Sequence, residues 1–388
     1  MNTYTLLVFA ATWVLMARER VPVLPVGRAA GTLLGAVLMI AGGALSPADA
    51  FAAIDAGTIG LLFGMMVLTA ELAESGVIEA AADRLVRRFR GPAPLLWGIG
   101  LGSGIGSALL VNDTICLFAT PVVVAACRRC RIDPIPHLVV LAAAANVGSI
   151  ATLVGNPQLM IIGRLSGISF ADWAATMAPL AATALVVAVA IVHLWFRRRL
   201  ATGPFDAVRE DIPVIDVGRA RRALVVVAGT FVAFLAGVDL AWAALGGASA
   251  MLVVRRAPAA PLFARVDFGL LVFFASLFVV VRAVGVTGLP ARLFGAVDGG
   301  PWEVPAIVGL SNLVSNVPLV LLAAPHTSGD AAWFLLGMAS TTAGNLTLPG
   351  SAANLIVAEK SGLGFRDHLV PGILVTVATT ALGWWWLS

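Results

Sequence analysis

The sequence predicts an all-α integral membrane protein built from two repeats of inverted topology. Of its 388 residues, 60% are hydrophobic and 12% are charged, so a soluble fold would lack polar side chains to cover its surface. Apolar runs long enough for spanning helices, which need about 20 residues, recur along nearly the whole chain. A transmembrane β-barrel would instead show alternating segments of roughly 10 residues. The third observation is a set of polar interruptions that recurs in both halves.

The first half is interrupted by polar residues at two places within residues 98–157. One interruption is a polar tip between two apolar arms, and the other breaks a single long apolar run. Backbone at membrane depth must satisfy its N–H and C=O groups internally, so such breaks are tolerated only beside protein or a watery cavity. The candidate binding residues here are Asn112, Asp113, Thr114, Asn146, Thr152, Gly155 and Asn156.

The second half repeats this arrangement in altered form. Setting Thr152 on Thr347 also sets Gly155 on Gly350 and Phe170 on Phe365, with one constant offset. Paired interruptions at corresponding places indicate a secondary transporter that binds its substrate at the repeat interface near the bilayer midplane. The candidate binding residues in this half are Ser315, Asn316, Asn345, Thr347, Gly350, Ser351 and Asn354.

Helical segments follow from the apolar runs taken in order. The run at 4–16 has no basic region before it and no evident cleavage site, so we expect it to remain as the first span. The predicted segments are 4–17, 29–45, 58–74, 95–110, 115–126, an interrupted 136–163, 173–196, 223–238, 240–254, 268–285, 304–314, 318–324, an interrupted 331–359 and 369–387.

The orientation follows from the positions of arginine between the spans. If both polar-tipped pairs are re-entrant hairpins, each repeat has five spanning helices, one hairpin and one broken helix, and the basic loops share one face. That face is predicted to be the cytosol, with both termini periplasmic, in a bacterial inner membrane. The repeats are then 1–196 and 223–388, joined by a cytosolic linker at 197–222. The loop arginines are Arg18, Arg20, Arg28, Arg84, Arg87, Arg88, Arg90, Arg128, Arg129, Arg131, Arg255 and Arg256.

Two amphipathic stretches, 77–89 and 289–297, precede the hairpins and are typical of helices that lie in the membrane interface. They could serve as simple surface connections or have a mechanical role. Glu71 and Glu74 lie one turn apart near a span end, where a solvated or arginine-paired face is as good an interpretation as a proton route. Asp239 is expected to be exposed at a turn, and Arg282 to extend outward.

The remaining composition excludes several classes. The net charge of +4 comes from arginines between spans, so we interpret it as topology and expect no nucleic-acid partner. The three cysteines are expected to be reduced thiols. The four histidines are scattered beside span ends, which argues against a metal cluster, and no enzyme motif is present. We therefore expect no catalytic residues and no cofactor. A channel would need a lined pore, and no such pattern is visible.

Several motifs resemble the ion transporter superfamily along nearly the whole chain. This group includes divalent-anion/Na⁺ symporters, citrate transporters, arsenite-efflux permeases and an Na⁺/H⁺ antiporter branch. The motifs are Leu61-Leu62-Phe63-Gly64-Met65-Met66 leading to Glu74-Ser75-Gly76, Val111-Asn112-Asp113-Thr114, Ala151-Thr152-Leu153-Val154-Gly155-Asn156-Pro157, Ser315-Asn316-Val317-Pro318, and the run from Gly344-Asn345 to Asn354-Leu355-Ile356-Val357.

The resemblance implies two inverted repeats, a homodimer and a transport domain that moves like an elevator. In the family's symporters, Ser-Asn-Thr at the hairpin tips binds Na⁺ and a substrate carboxylate. Here the acid at Asp113 and the absence of a hydroxyl at Val317 depart from that pattern. The Asn112-Asp113 pair is more similar to the arsenite permeases and to a bacterial branch of anion permeases.

The sequence thus predicts a secondary active transporter of a small anion or oxyanion, driven by H⁺ or Na⁺. An ionised carboxylate is disfavoured in a closed, low-dielectric site unless a cation stabilises it, so we assign coupling to Asp113. A Na⁺ ion could bind at Asn112, Asp113 and Asn316. No Lys or Arg lies in either tip, which favours weakly charged solutes. The alternatives are arsenite or antimonite efflux, Na⁺/H⁺ antiport and, less favoured, an ion channel.

Overall fold

The computed structural model describes residues 2–17, 27–89, 91–201, 216–295, 300 and 302–388. Within these ranges the regular structure consists of α-helices and short 3₁₀ helices, without a strand, which confirms the all-α prediction. Predicted features that fall on Arg18, Arg20, Arg90 and 202–215 of the linker lie outside the described residues.

The first half contains ten α-helices in the described ranges. They are α1 (Asn2–Ala17), α2 (Arg28–Ala41), α3 (Pro47–Ala53), α4 (Ala56–Glu74), α5 (Val77–Arg88), α6 (Pro92–Leu109), α7 (Asn112–Arg129), α8 (Ile135–Ser149), α9 (Pro157–Leu165) and α10 (Phe170–Trp195). The short helix α3 was not predicted. The interruptions in the predicted hairpin and in the predicted 136–163 segment are both present.

The second half repeats this order. Its helices are α11 (Val217–Leu235), α12 (Leu240–Val254), α13 (Ala260–Phe263), α14 (Phe268–Gly285), α15 (Leu289–Gly295), α16 (Glu303–Val314), α17 (Asn316–Ala323), α18 (Asp330–Ala343), α19 (Ala352–Ser361) and α20 (Phe365–Leu387), with 3₁₀ helices at Ala324–His326 and Leu348–Gly350. The short helix α13 was not predicted, and residues 296–297 of the second amphipathic stretch lie outside the described residues.

Helix α11 begins earlier than the apolar pattern indicated. Helix α11 starts at Val217, within the predicted linker, because the Asp216 side chain accepts a hydrogen bond from the Arg219 N–H at 2.9 Å and caps the helix. Because the first turns of this helix are polar, hydropathy alone does not predict where it begins.

Four described helices are long and apolar enough to cross a membrane by length and composition. They are Ala56–Glu74, Phe170–Trp195, Phe268–Gly285 and Phe365–Leu387. Shorter apolar helices accompany them, namely Asn2–Met16, Arg28–Ala41, Ile135–Ser149, Leu240–Val254, Glu303–Val314 and Asn316–His326. These lengths fit a multi-pass membrane protein.

Aspartate caps fix the start of the third long helix in each half. Asp55 accepts a hydrogen bond from the Thr58 N–H at 2.5 Å at the head of α4. Asp267 does the same for Leu270 at 2.9 Å at the head of α14. Because a capping side chain satisfies an N–H that the first turn leaves unpaired, these residues define where the apolar helix begins.

The helices of the two halves contact one another reciprocally. Helix α4 packs on α12 of the other half, and α14 packs on α2 in the corresponding way. The same exchange relates α7 with α19 and α17 with α9, whereas α10 packs on its own counterpart, α20. Contacts within each half also match, since α6 packs on α8 and α16 on α18.

Small residues allow the closest of these approaches. A Cβ atom at Gly64 would lie 2.6 Å from the carbonyl carbon of Ala244, so α4 and α12 pack with their backbones in near contact. Gly148 of α8 lies closer still to the backbone of Gly104 in α6. The glycines of the first hairpin therefore have a packing role, as small residues at membrane helix interfaces commonly do.

Candidate functional site

Four helices end at the polar interruptions, and the helices that follow begin there. The breaks lie at 110–111 between α6 and α7, at 150–156 between α8 and α9, at Ser315 between α16 and α17, and at 344–351 between α18 and α19. The Asn112 N–H donates to the Gly155 carbonyl at 2.9 Å, so the first tip reaches the first broken helix directly. These breaks place unpaired backbone groups near one another.

A buried set of side chains, which we call the amide network, joins these breaks. It comprises Asn112, Asn146, Asn345, Ser351 and Asn354. Asn112 Nδ2 donates to Asn146 Oδ1 at 3.0 Å. Asn146 Nδ2 in turn lies 2.8 Å from Asn345 Oδ1 and 3.0 Å from both Ser351 Oγ and Asn354 Oδ1. An amide nitrogen has two hydrogens, so three acceptors compete for them and one stays available for another donor.

The network also forms hydrogen bonds with the backbone of the second broken helix. Asn354 Nδ2 donates to the carbonyls of Gly344 at 2.7 Å and Thr347 at 3.1 Å, which the interruption leaves without helical partners. Ser351 Oγ caps α19 by accepting from the Asn354 N–H at 3.1 Å. The same residues that satisfy the broken backbone thus present the polar surface.

Asn156 has the equivalent place in the first broken helix. Its Oδ1 caps α9 by accepting from the Leu159 N–H at 2.9 Å. Its Nδ2 donates to Ser149 Oγ at 2.8 Å and to Thr341 Oγ1 at 3.2 Å, which connects it to α18 of the other half. Ser149 and Thr341 were not predicted, because only the folded helices bring them to the break.

The two predicted threonines each bind the hairpin of their own half. Thr152 Oγ1 donates to the Ala108 carbonyl at 2.6 Å, and Thr347 Oγ1 donates to Asn312 Oδ1 at 3.0 Å. Asn312, which sequence reasoning missed, also donates to the Ala343 carbonyl at 2.8 Å. These contacts lock each hairpin to the adjacent broken helix.

Glycine is required at Gly155 and Gly350 by close backbone approach. A Cβ atom at Gly155 would collide with the backbone of Ser149. One at Gly350 would lie 2.8 Å from Asn312 Oδ1 and 3.0 Å from the Gly344 carbonyl oxygen. Both glycines therefore shape the breaks. Because they have no side chain, they could contact a solute only through their backbone N–H and C=O groups.

Asp113 and Thr114 lie beside the amide network but contribute no side-chain bond to it. Both side chains are partly exposed. The Asp113 N–H donates to Asn112 Oδ1 at 2.9 Å, which fixes the first turn of α7. Among the described residues, no side chain forms a hydrogen bond or ion pair with the Asp113 carboxylate. It is thus an acid without a direct ion pair at the first tip, and the basic residue that acts on it electrostatically is Arg28 in α2.

The second tip has an unusual backbone and an unpartnered oxygen. Ser315 has φ 78° and ψ 153°, a conformation that residues with a side chain rarely adopt, whereas the corresponding Val111 has φ −65°. Asn316 Oδ1 is buried and has no hydrogen-bond partner among the described residues. The hydroxyls of Ser107 and Ser311 are also buried without partners. Each of these serines lies at the same distance in sequence before Asn112 or Asn316.

His368 is the main contributor that sequence reasoning missed. It was interpreted as one of several scattered histidines, yet its Nε2 lies 3.0 Å from the Asn345 carbonyl oxygen in the second break. Its side chain is fully buried. Only the packing of α20 against the break brings this residue to the amide network. In the described part of the chain, no group of three or more His, Cys, Asp or Glu side chains could hold a metal ion.

Charged residues cluster elsewhere, between α4 and the helices of the second half. This ion-pair cluster comprises Glu71, Glu74, Arg219, Arg255 and Arg265. Arg219 binds Glu71 through two bonds of 2.5 and 2.9 Å and also contacts Glu74. Arg255 lies 3.3 Å from Glu71 and 3.1 Å from Glu74, and Arg265 lies 3.1 Å from Glu74. Of the two interpretations of the glutamates, arginine pairing describes them in the folded chain.

Two further sequence predictions about charged residues are met. Asp239 is exposed at the turn before α12, although it also pairs with Arg164. Arg282 is exposed near the end of α14. The three cysteines are buried and free of disulfides.

The chain is similar in sequence to a known transporter family and to individual membrane proteins. A sequence profile described as "Citrate transporter" matches residues 11–333. The chain is 32% identical over 461 residues to the silicon efflux transporter of Oryza sativa subsp. japonica, covering 97% of this chain and 95% of that protein. It is also 32% identical over 332 residues to an inner membrane protein of Escherichia coli, with 82% and 84% covered.

A more distant relative extends the comparison to another eukaryote. The chain is 24% identical over 489 residues to a candidate transporter, arsB, of Dictyostelium discoideum, with 93% of this chain and 87% of that protein covered. The matched profile and the relatives that are named for an activity describe transporters, not enzymes.

Proposed function

The chain belongs to the citrate transporter family, and we propose that it is a secondary active transporter of a small, weakly charged oxyanion. The observation that carries this proposal is the amide network, in which Asn112 and Asn146 of the first half meet Asn345 and Asn354 of the second half at the helix breaks. A solute bound there contacts both halves at once, as alternating access requires.

The chemistry of the candidate site supports a weakly charged solute. Its side chains are amides and hydroxyls, and the sequence places no Lys or Arg in either tip. A multiply ionised solute such as citrate would bury charges without a fixed cation to balance them, which is costly. Silicic acid and arsenite are small oxyacids that keep hydroxyl donors near neutral pH. The relative named as a silicon efflux transporter makes silicate the first solute to test, and arsB makes arsenite the second.

We also propose that residues 1–196 and 223–388 are repeats related by a two-fold axis. Asn146 of one half pairs with Ser351 of the other at 3.0 Å, and Thr341 pairs with Asn156 at 3.2 Å. The alignment that sets Thr152 on Thr347 turns the first pair into the second. The reciprocal packing of α4 on α12 and α14 on α2 agrees with this symmetry. The arginine distribution then favours inverted orientations, with the linker cytosolic and both termini periplasmic.

Labelling from either side of the membrane tests this topology. Single cysteines introduced at Asp113 and Asn316 in a chain without native cysteines are expected to react with a membrane-impermeant maleimide from opposite sides. Reaction of both positions from the same side only would contradict the inverted arrangement, because inverted hairpins enter from opposite faces.

Movement is proposed to follow the elevator mechanism that the family resemblance implies, in a homodimer. The packing supports this, since the breaks lie on α6–α9 and α16–α19, whereas α4 packs chiefly on α12 and α14 chiefly on α2, with smaller contacts to α9 and α17. The first set would move with the solute, and the second would remain fixed.

Coupling is proposed at the tips, through H⁺ or Na⁺. The Asp113 carboxylate forms no direct ion pair in the described structure, although the charge of Arg28 acts on it, and it would be stabilised further by a proton or a cation. The unpartnered oxygens of Ser107, Ser311 and Asn316 favour the Na⁺ alternative, because Na⁺ binds protein oxygens of this kind. The antiporter alternative uses the same ion groups without the oxyanion.

Proteoliposomes provide the decisive test of function. Uptake of silicic acid, arsenite, phosphate, sulfate and citrate is measured with pH and Na⁺ gradients imposed separately. We expect gradient-driven uptake of silicic acid or arsenite, together with counterflow, which a carrier shows and a channel does not. Uptake of citrate alone would overturn the proposed solute class. Conductance without counterflow would overturn the proposed carrier mechanism.

A further inference from the structure

Each broken helix is held by one N–H donor from the long helix that follows it. In the first half, Trp173 Nε1 donates to the Ile150 carbonyl at 3.1 Å. In the second half, His368 Nε2 lies 3.0 Å from the Asn345 carbonyl. The alignment that sets Thr152 on Thr347 also sets Trp173 on His368 and Ile150 on Asn345. The two donors are therefore structural equivalents, and only one of them can titrate.

This geometry fixes which nitrogen of His368 carries hydrogen in the neutral ring. A carbonyl oxygen only accepts, so Nε2 must donate to Asn345. Asn354 Nδ2 also lies 3.4 Å from Nε2, but two donors cannot bond each other, and that amide already donates to Gly344 and Thr347. Nδ1 is consequently left with a lone pair. It is buried and has no hydrogen-bond partner among the described residues.

We propose that Nδ1 of His368 is a proton-binding site of the transport cycle, an inference that rests on the proposed function. A proton taken from water forms an N–H bond at Nδ1 and leaves the bond from Nε2 to Asn345 intact. The positive charge then lies beside Asn345 of the amide network, whose Oδ1 accepts a hydrogen bond from Asn146 at 2.8 Å. The histidine thereby carries a proton beside the proposed solute site.

The described residues around His368 provide no direct counter-charge for a protonated ring. Helix α20 packs on α8, α10, α18 and the 3₁₀ helix Leu348–Gly350. The titratable or charged residues on these elements, on α20 itself and on the adjacent α19 are His137, Asp172, His193, Asp330, Glu359, Lys360, Arg366 and Asp367. Within the described structure, none of them forms a hydrogen bond or ion pair with His368. Protonation of His368 and binding of the solute should be coupled, each changing the affinity for the other by the same factor.

The proton site can be observed without knowing the solute. The full chain is labelled with ¹⁵N-histidine, reconstituted in lipid and studied by solid-state NMR between about pH 4 and pH 8, because a buried ring without a counter-charge resists protonation. Four histidines give few signals, and His368→Gln assigns the relevant pair. We expect bare Nδ1 with protonated Nε2 at the upper pH, and an imidazolium at the lower pH. A ring that stays neutral throughout, or that carries its hydrogen on Nδ1, would overturn the proposal.

Transport of silicic acid and arsenite tests the role in the cycle. The amide of His368→Gln can still donate toward Asn345 but cannot take a proton. We expect it to transport while its pH dependence flattens by roughly 5-fold or more, whereas His368→Ala loses transport. The exposed His326→Gln serves as the control. An unchanged pH profile in His368→Gln overturns this inference alone, whereas full transport by an Asn146→Ala variant would overturn the proposed site itself.

Discussion

The amide network and the ion-pair cluster both bury polar side chains between the two halves, but by opposite means. In the cluster, two glutamates are matched by three arginines, and Arg219 binds Glu71 through two bonds. In the network, all groups are neutral, and three acceptors compete for the hydrogens of Asn146. Charges buried at low dielectric need their partners permanently. Neutral amides exchange partners at smaller cost, so the network suits transient binding and the cluster suits a fixed joint.

Removing an arginine from the cluster should have the largest effect on folding. Arg219→Ala leaves Glu71, whose side chain is 1% exposed, without its two-bond partner. We expect a loss of about 3 kcal/mol, the lower end of the range for a broken buried ion pair, because Arg255 still lies 3.3 Å from Glu71. The fluorescence of the ten tryptophans during thermal unfolding in detergent measures it. Arg221→Ala, an exposed neighbour on the same helix, is the matched control. Equal unfolding temperatures for both variants would contradict the fixed-joint interpretation.

Removing the central amide should instead abolish transport and change stability less. Asn146→Ala leaves buried acceptors unpaired, at a cost of about 1–3 kcal/mol. Uptake of silicic acid and arsenite is expected to fall to background in variants that still elute as folded protein. The control is Ser249→Ala, whose hydroxyl binds only its own helix. The same result is expected for alanine at Asn112, Asn316, Asn345 and Asn354. Normal transport by all five variants would place the site elsewhere.

The smallest structural change separates the two kinds of carboxylate. Asp113→Asn preserves shape and removes titration at an acid without a direct ion pair, so counterflow should persist while dependence on the H⁺ or Na⁺ gradient is lost. Substrate affinity should change by less than about tenfold. Glu71→Gln, within the ion-pair cluster, should keep gradient dependence. If Asp113→Asn retains it as well, this carboxylate is only a structural acceptor.

The helices could be predicted well because hydropathy alone marks them. Helix α14 spans Phe268–Gly285, the predicted range, and the four helix breaks occur where polar residues interrupt apolar runs. The predicted start of α11 was wrong because the first turns of this helix are charged. Arg219 in those turns is paired with Glu71, which lies in a distant part of the chain. Local hydropathy therefore predicts where the helices break, whereas the start of the charged helix α11 depends on an ion pair with a residue distant in sequence.

The membership of the amide network was only partly predictable. Asn112, Asn146, Asn345, Ser351 and Asn354 stand out because amides and hydroxyls are unusual in apolar runs. His368, Asn312 and Thr341 do not stand out, because each becomes polar surface of the break only after another helix packs beside it. The repeat alignment carries the missing signal for His368, since it pairs with a tryptophan that donates to the equivalent carbonyl.

The unequal tips have an energetic consequence for a transporter built from two similar halves. Identical halves would give inward-open and outward-open forms of equal energy. Ser315 holds φ 78° and ψ 153°, a conformation that costs about 1–3 kcal/mol, whereas Val111 at the other tip is relaxed. Each 1.4 kcal/mol changes a population ratio about tenfold. Whichever form relaxes Ser315 is therefore favoured at rest, and Ser315→Gly should shift that bias in single-molecule fluorescence.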